Sequence, residues 1–187
     1  MRLGIFIGSF NPVHEGHIKI VNYLIDNNYV DKVLIIPSIN YWNKQNLIEL
    51  KHRINMLKFF ESNNIKVDDK HNNYQYTYQL LRALKEEYND ELYLIIGADN
   101  AINLDKWEHI QELLTYKIIV LNRDNIDIKK YINKFNSNNF IVIPNFPFID
   151  TSSTEIRHGN YTYLNNKVKQ YILKHNLYKD KIWKSIT

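Results

Sequence analysis

Short, continuous apolar runs alternate with segments of helical periodicity along most of the chain. The apolar runs predict strands at residues 3–7, 32–36, 65–67, 92–96, 117–121 and 141–143. The periodic segments predict helices at residues 16–27, 49–62, 77–88 and 128–135, a short helix ending near 114, one beginning at 153 and one at 165–175. Strands that are apolar throughout are typical of a parallel sheet covered on both faces. We therefore expect a doubly wound, Rossmann-like α/β fold in one domain, residues 1–187, whose closing helical segments lie at about 153–178.

Composition narrows the class of protein only modestly. The 187 residues carry a net charge of +4 and contain no cysteine, so neither a disulfide framework nor a thiolate site is available. Lysine and arginine are scattered along the chain, which favours a mildly basic surface over a nucleic-acid-binding face. No apolar run approaches the ~18 residues that a membrane-spanning helix needs, and the first residues lead directly into a core strand without a signal peptide. We expect a cytoplasmic protein.

The strongest chemical signal follows the first predicted strand, where residues 8–17 read GSFNPVHEGH. The turn glycine, Gly8, lets the backbone approach an anion, and the N–H groups at the start of the next helix point at it. His17 falls in the first helical turn, where its ring N–H reaches the same oxygens. His14 and His17 alone are also compatible with a metal pair or with chance, but the complete string at a strand-to-helix junction favours phosphate binding.

A second motif, TSSTEIR, occupies residues 151–157. Ser152 and Glu155 have the spacing of a capping box, in which each side chain bonds a backbone N–H of the other residue, so a purely structural role is one interpretation. The other interpretation is phosphate binding, because the planar guanidinium of Arg157 contacts phosphate oxygens in pairs and keeps its charge. The two motifs occur near opposite ends of one chain, and together they favour the functional interpretation.

These segments carry a family resemblance. Residues 8–17 resemble the GSF(D/N)PxHxGH signature of the nucleotidyltransferase superfamily, and residues 151–157 are similar to the ISSTxIR signature of the nicotinate/nicotinamide mononucleotide adenylyltransferases. Matches also lie between and after them: the loop at 40–44, HRINM at 52–56, YT at 76–77, IGAD at 96–99, Trp107, Arg123 and LY at 177–178. The chain departs from the usual pattern at Asn11, at Thr151 and in the loop YWNK at 41–44, which leaves the preferred pyridine substrate open.

The resemblance implies adenylyl transfer from ATP to nicotinate or nicotinamide mononucleotide. It implies that the protein supplies no metal ligands and that Mg²⁺ is carried on the ATP phosphates. By resemblance, the catalytic residues are His14, His17, Lys44 and Arg157. The implied ATP-binding residues are Gly8, Ser9, Phe10, His17, Gly97, Asp99, Ser152, Ser153, Thr154 and Arg157. The implied mononucleotide-binding residues are Ser9, Asn40, Lys44, Arg53, Tyr74, Thr77, Trp107 and Arg123. The expected partners are the two nucleotides, with a homo-oligomer left open.

Alternatives stay open at this point. Pantetheine-phosphate adenylyltransferase shares the first motif, a non-catalytic nucleotide sensor is compatible with the same fold, and a nucleic-acid binder predicts steeply salt-dependent affinity. Single residues also have simpler interpretations. Lys44 is compatible with a solvated loop lysine, Trp107 with packing, and Arg53 with an ion pair to Glu49 one helical turn away.

Overall fold

A parallel sheet of six strands lies at the centre of the computed structural model, which describes residues 1–39, 47–122 and 126–179. The strand order is β3-β2-β1-β4-β5-β6. The strands are β1 (Arg2–Gly8), β2 (Lys32–Pro37), β3 (Ile65–Val67), β4 (Glu91–Gly97), β5 (Lys117–Leu121) and β6 (Phe140–Ile143). Every neighbouring pair is parallel. The predicted doubly wound fold is confirmed, and each predicted strand lies within a residue of the observed one.

Helices connect the strands and cover both faces of the sheet. They are α1 (Glu15–Asp26), α2 (Leu50–Lys58), α3 (Thr77–Glu87), α4 (Ala98–Ile102), α5 (Ile110–Leu113), α6 (Lys129–Ile132), α7 (Ser153–Arg157) and α8 (Asn166–Lys174), with 3₁₀ turns at Leu104–Lys106 and Asn133–Phe135. None of the helices in the described part of the chain is long and apolar enough to cross a membrane.

Two predicted helices differ from the observed ones. The helix predicted at 49–62 ends at Lys58, because the chain then turns toward β3, with the Phe60 N–H bonded to the Leu57 carbonyl and the Glu61 carboxylate accepting the Val67 N–H. The helix predicted at 128–135 is α6 followed by a 3₁₀ turn. Helix α4 was not predicted, since its five residues are too few to show a period.

Alternating residues of the strands fill two separate cores. On one face Ile35 and Ile95 pack with α1, α2 and α8, and on the other Leu34 and Leu94 pack with α3 and the segments around α4 to α6. All four side chains are at most 4% exposed, as expected when helices cover a parallel sheet on both sides.

The position of the site follows from the connections. The chain runs outward from β1 to β2 and β3, then crosses back to β4 on the other side of β1. The connections that leave the carboxyl ends of β1 and β4 therefore diverge, and they open a crevice between them. In sheets of this kind ligands bind at such a switch point.

Candidate active site

The loop that follows β1 is folded tightly against its own strand. Phe10 has a positive φ of 43° and is 1% exposed. A Cβ atom on Gly8 would lie 3.0 Å from the Phe10 ring, so any other residue at this position would require the ring to shift. The Phe10 ring in turn meets the His17 ring edge-on, with centroids 5.0 Å apart. The first motif therefore forms a compact unit in which an aromatic ring supports a histidine.

His14 and His17 cap the N-terminus of α1 with their own ring nitrogens. Nδ1 of His14 accepts the Gly16 N–H at 3.2 Å, and Nδ1 of His17 accepts the His14 N–H at 3.2 Å. A ring nitrogen that accepts a hydrogen bond carries no proton, so in this arrangement each ring holds its N–H at Nε2. The two ring centroids are 3.8 Å apart. The cap thus fixes both the position and the tautomer of the histidines.

Burial sets the charge of His14. The residue is 7% exposed, and removal from water lowers the pKa of its imidazole to about 4. At neutral pH His14 is therefore uncharged and offers one donor, the Nε2–H. It is a poor base in this arrangement, because protonation of Nδ1 would break the bond from Gly16.

The second motif is attached to the loop of the first. Ser152 and Glu155 form the capping box, each side chain accepting the backbone N–H of the other at 3.2 Å. The hydroxyl of Ser153 donates to the Pro12 carbonyl at 2.8 Å. The structural interpretation of Ser152 is thus confirmed, and α7 is held beside the segment that carries His14.

Arg157 joins the two motifs through its guanidinium group. Its Nη1 donates to the Asn11 carbonyl at 2.7 Å and its Nη2 to the Thr154 hydroxyl at 3.0 Å. Partial burial lowers the pKa of Arg157, but an arginine stays protonated at any physiological pH. A permanent positive charge therefore lies beside the His14 loop.

The predicted ATP-binding residues surround one open cavity of about 600 Å³ at the carboxyl ends of β1, β4 and β5. All ten line it, together with His14: Gly8, Ser9, Phe10, His17, Gly97, Asp99, Ser152, Ser153, Thr154 and Arg157. Asp99 contributes the one carboxylate among the described lining residues. The structure brings the group together, and contact of its members with a nucleotide stays a prediction.

Gly97 and Asp99 form a close turn at the end of β4. A Cβ atom on Gly97 would lie 2.5 Å from Oδ1 of Asp99, a distance that only movement of the carboxylate could relieve. Gly97 is the N-cap of α4, and the Asp99 side chain lies over it without obstruction. Glycine at this position therefore sets where the carboxylate lies in the cavity.

A second, smaller cavity, of about 80 Å³, adjoins the first. Three predicted mononucleotide-binding residues line it: Tyr74, Thr77 and Trp107. Four residues line both cavities: Ile7, Ile95, Ile96 and Asn100. The two cavities therefore share a wall at the carboxyl ends of β1 and β4. Asn100 was missed at the sequence level, although it directly follows the IGAD match.

Arg53 forms hydrogen bonds within the protein. The residue is 2% exposed and lines neither cavity; its Nη1 donates to the carbonyls of Ser9 and Ser38, both at 2.8 Å, and its Nε to the Ile48 carbonyl at 3.2 Å. These bonds give Arg53 a positioning role in the structure, and its direct contact with the mononucleotide stays a prediction. The alternative pairing with Glu49 is wrong, because that carboxylate bonds Lys51 at 2.7 Å.

Three predicted site residues, Asn40, Lys44 and Arg123, lie outside the described residues. Conversely, His71 lines the smaller cavity although no sequence motif includes it. Its Nδ1 lies 2.7 Å from the buried Asp68 carboxylate and its Nε2 lies 3.3 Å from the Glu87 carboxylate. The spacing of Asp68 and His71 on a polar turn is too common to identify such a pair. In the described part of the chain, no group of three or more His, Cys, Asp or Glu side chains is arranged to hold a metal ion.

The fold and the paired cavities define a nucleotide-binding α/β protein with a nucleotidyltransferase-type site. Residues 5–159 match the family model described as cytidylyltransferase-like. A protein of Fusobacterium nucleatum described as "Probable nicotinate-nucleotide adenylyltransferase" is 38% identical over 178 residues, which are 90% of this chain and 88% of that protein. The chain belongs to the cytidylyltransferase-like family and, within it, to the nicotinate-nucleotide adenylyltransferases.

Solved structures are similar across nearly the whole chain. Plasmodium falciparum nicotinic acid mononucleotide adenylyltransferase complexed with NaAD superposes with a TM-score of 0.77 at 24% identity, covering 95% of this chain and 97% of that one. The structure from the same organism complexed with APC gives a TM-score of 0.75 at 26% identity, covering 95% and 96%. The first of these likenesses supports the fold, and the second supports the family as well.

Proposed function

We propose that this protein transfers the adenylyl group of ATP to the 5′-phosphate of nicotinate mononucleotide or nicotinamide mononucleotide. The products are pyrophosphate and deamido-NAD or NAD. Family membership supports the reaction class, and the observation that carries the proposal is the histidine cap, which leaves the Nε2–H groups of His14 and His17 as donors of fixed tautomer in the wall of the larger cavity. The relatives are named for the nicotinate substrate.

The proposed chemistry depends on positioning and charge. The attacking phosphate is already an anion, so the reaction needs neither a general base nor a covalent intermediate. His14 and His17 would donate from Nε2 to the phosphoryl oxygens as negative charge develops on them in the transition state. The lowered pKa of His14 suits this role, because a neutral donor keeps its proton throughout. Arg157 would neutralise charge on the ATP phosphates, and Lys44 is proposed for the same task.

A magnesium ion fits this site as an ion bound to the phosphates of ATP. The larger cavity offers one carboxylate, Asp99, among its described lining residues, and Mg²⁺ commonly keeps phosphate and water ligands. Such an ion supplies charge neutralisation to the phosphates. Arg157 and the donors at Nε2 of the two histidines act on the same oxygens from the protein side.

The smaller cavity would hold the pyridine ring. Trp107 and Tyr74 supply aromatic surface there and Thr77 lies at the start of α3, so the ring would bind between aromatic side chains and helix-end N–H groups. We also propose a cytoplasmic location, which suits a chain without cysteine, and leave a homo-oligomer to direct measurement of molecular mass.

The test is pyrophosphate release from ATP with each acceptor separately. We expect turnover with nicotinate or nicotinamide mononucleotide and none with phosphopantetheine. Turnover with phosphopantetheine alone would identify the rival adenylyltransferase, and nucleotide binding without any turnover would identify a sensor. The ratio of kcat/KM for the two mononucleotides then fixes the substrate.

A variant tests the role of the histidine donors. His17→Ala should lower kcat by about 10² or more while the protein stays folded, as expected for loss of a transition-state donor. Circular dichroism checks the fold. Near-normal turnover of this variant would exclude His17 from the chemistry.

A further inference from the structure

The segment between β1 and α1 is held by side chains from distant parts of the chain. The Ser9 carbonyl accepts from Arg53 at 2.8 Å, and the Pro12 carbonyl accepts from Ser153 at 2.8 Å. Between them, the Asn11 carbonyl accepts from Arg157 at 2.7 Å. The loop that carries His14 therefore takes its shape from tertiary contacts made by α2 and α7.

The side chain of Asn11 adds a contact with the far end of the chain. Tyr178 follows α8, and its hydroxyl donates to Oδ1 of Asn11 at 3.0 Å; the Ile48 N–H donates to the same oxygen at 3.3 Å. Asn11 is 3% exposed and Tyr178 is 7% exposed, so water does not compete for this bond. Burial raises the pKa of the Tyr178 phenol, which therefore remains a donor across the physiological range.

We propose that Tyr178 is a positioning residue of the adenylyl-transfer site, whose hydroxyl fixes Asn11 and thereby the relative placement of His14 and Arg157. Asn11 is the shared element, because Tyr178 holds its side chain while Arg157 bonds its main chain. His14 follows three residues later. The expected effect on kcat rests on the proposed function. The placement of His14 and Arg157 rests on the hydrogen bonds alone.

The hydroxyl is separable from the rest of the tyrosine. The Tyr178 ring belongs to the core that packs against α1, α2 and α8, and phenylalanine would preserve that packing. Removing only the oxygen leaves Asn11 Oδ1 with the longer bond from Ile48. A reaction that depends on positioning is sensitive to displacements well below 1 Å, so the loss should affect turnover more than folding.

The experiment compares Tyr178→Phe with Tyr171→Phe. Tyr171 is a matched control, because its hydroxyl also joins the C-terminal region to another element, bonding His52 and Asn55 of α2 at 2.9 Å each, but does not touch the loop. We expect Tyr178→Phe to lower kcat about tenfold, equivalent to about 1.4 kcal/mol, with KM for ATP nearly unchanged. Tyr171→Phe should leave kcat unchanged. Equal kcat in the two variants would overturn the proposal.

A double-mutant cycle locates the effect at Asn11. Asn11→Ala and the double variant with Tyr178→Phe should have the same kcat, since the hydroxyl acts through the amide it bonds. Asn11→Asp keeps an acceptor for both donors and should retain more activity than Asn11→Ala. Independent, multiplying losses from Tyr178→Phe and Asn11→Ala would show that Tyr178 does not act through Asn11, and would overturn the proposal.

A measurement without turnover separates this inference from the proposed function. If the Tyr178 hydroxyl holds the loop closed over His14, its removal lets water reach the ring. The pKa of His14, read by NMR titration, should then rise above about 4 in Tyr178→Phe and stay unchanged in Tyr171→Phe. If the wild-type protein fails to transfer adenylyl groups but this shift occurs, the proposed function fails and the positioning role stands. If the wild-type protein is active and Tyr178→Phe changes neither the pKa of His14 nor kcat, the positioning role is wrong and the proposed function stands.

Discussion

Acidification should destabilise this protein through His14. The folded state holds the pKa of the ring at about 4, whereas the ordinary value is 6.5. As the pH falls below 6.5, the unfolded chain takes up a proton at this residue before the folded chain does. The free energy of unfolding therefore decreases between pH 6.5 and about 4, and the decrease from this residue is complete below that range.

The size of the effect follows from the difference between the two pKa values. The difference of 6.5 − 4 = 2.5 units, at about 1.4 kcal/mol per unit, gives a loss of about 3 kcal/mol. This is a large share of the ~5–15 kcal/mol that stabilises a typical domain. Solvent screening is weak here, because the residue is 7% exposed.

Urea denaturation between about pH 4.5 and 7.5, followed by circular dichroism, measures the loss. The comparison protein is His14→Asn, because asparagine is a favoured N-cap whose oxygen can accept the Gly16 N–H but does not titrate. The wild-type curve should fall more steeply than that of the variant, and the difference between them isolates His14 from the other histidines. Parallel curves would refute the inference that His14 is buried in its neutral form.

Three further substitutions test the separate roles of Arg53, Asp99 and Trp107. Arg53→Met should lower the free energy of unfolding by about 3 kcal/mol in urea, because three partly buried carbonyls lose a charged donor, and an unchanged midpoint would contradict the positioning role. Gly97→Ala should raise KM for ATP about tenfold by displacing Asp99, with KM for the mononucleotide as the internal control. Trp107→Ala should do the reverse, raising KM for the mononucleotide about tenfold; a change confined to ATP would place the pyridine elsewhere.

The strands were predictable because burial on both faces leaves an unambiguous signal. Residues 92–96 and 117–121 are apolar without interruption, and the first helix shows its period in Ile18, Val21 and Leu24, all buried in the structure. The meeting of the two motifs was also predictable in outline, since parallel strands place their carboxyl ends at the same edge. The exact end of α2 was not, because it depends on where the chain must turn to reach β3.

Side-chain roles were harder to predict than elements. The sequence placed His17 correctly in the first turn of α1 but did not identify His14 as the cap, because histidine is not among the favoured N-cap residues. Arg53 was assigned to the ligand from its place in a motif. Its actual partners, the carbonyls of Ser9 and Ser38, lie 44 and 15 residues away along the chain, and no local pattern encodes them.

The two interpretations of the second motif turn out to be parts of one structure. Helix α7 has five residues, far too few to be stable in isolation. The capping box of Ser152 and Glu155 satisfies its first N–H groups, and Ser153 fastens it to the loop after β1. Held in this way, the helix presents Arg157 along the wall of the larger cavity. The box therefore does not compete with the phosphate-binding interpretation, because it builds the support that the arginine requires. Glu155→Ala breaks the box at the residue that does not line the cavity, and it should raise the Kd for ATP measured by calorimetry.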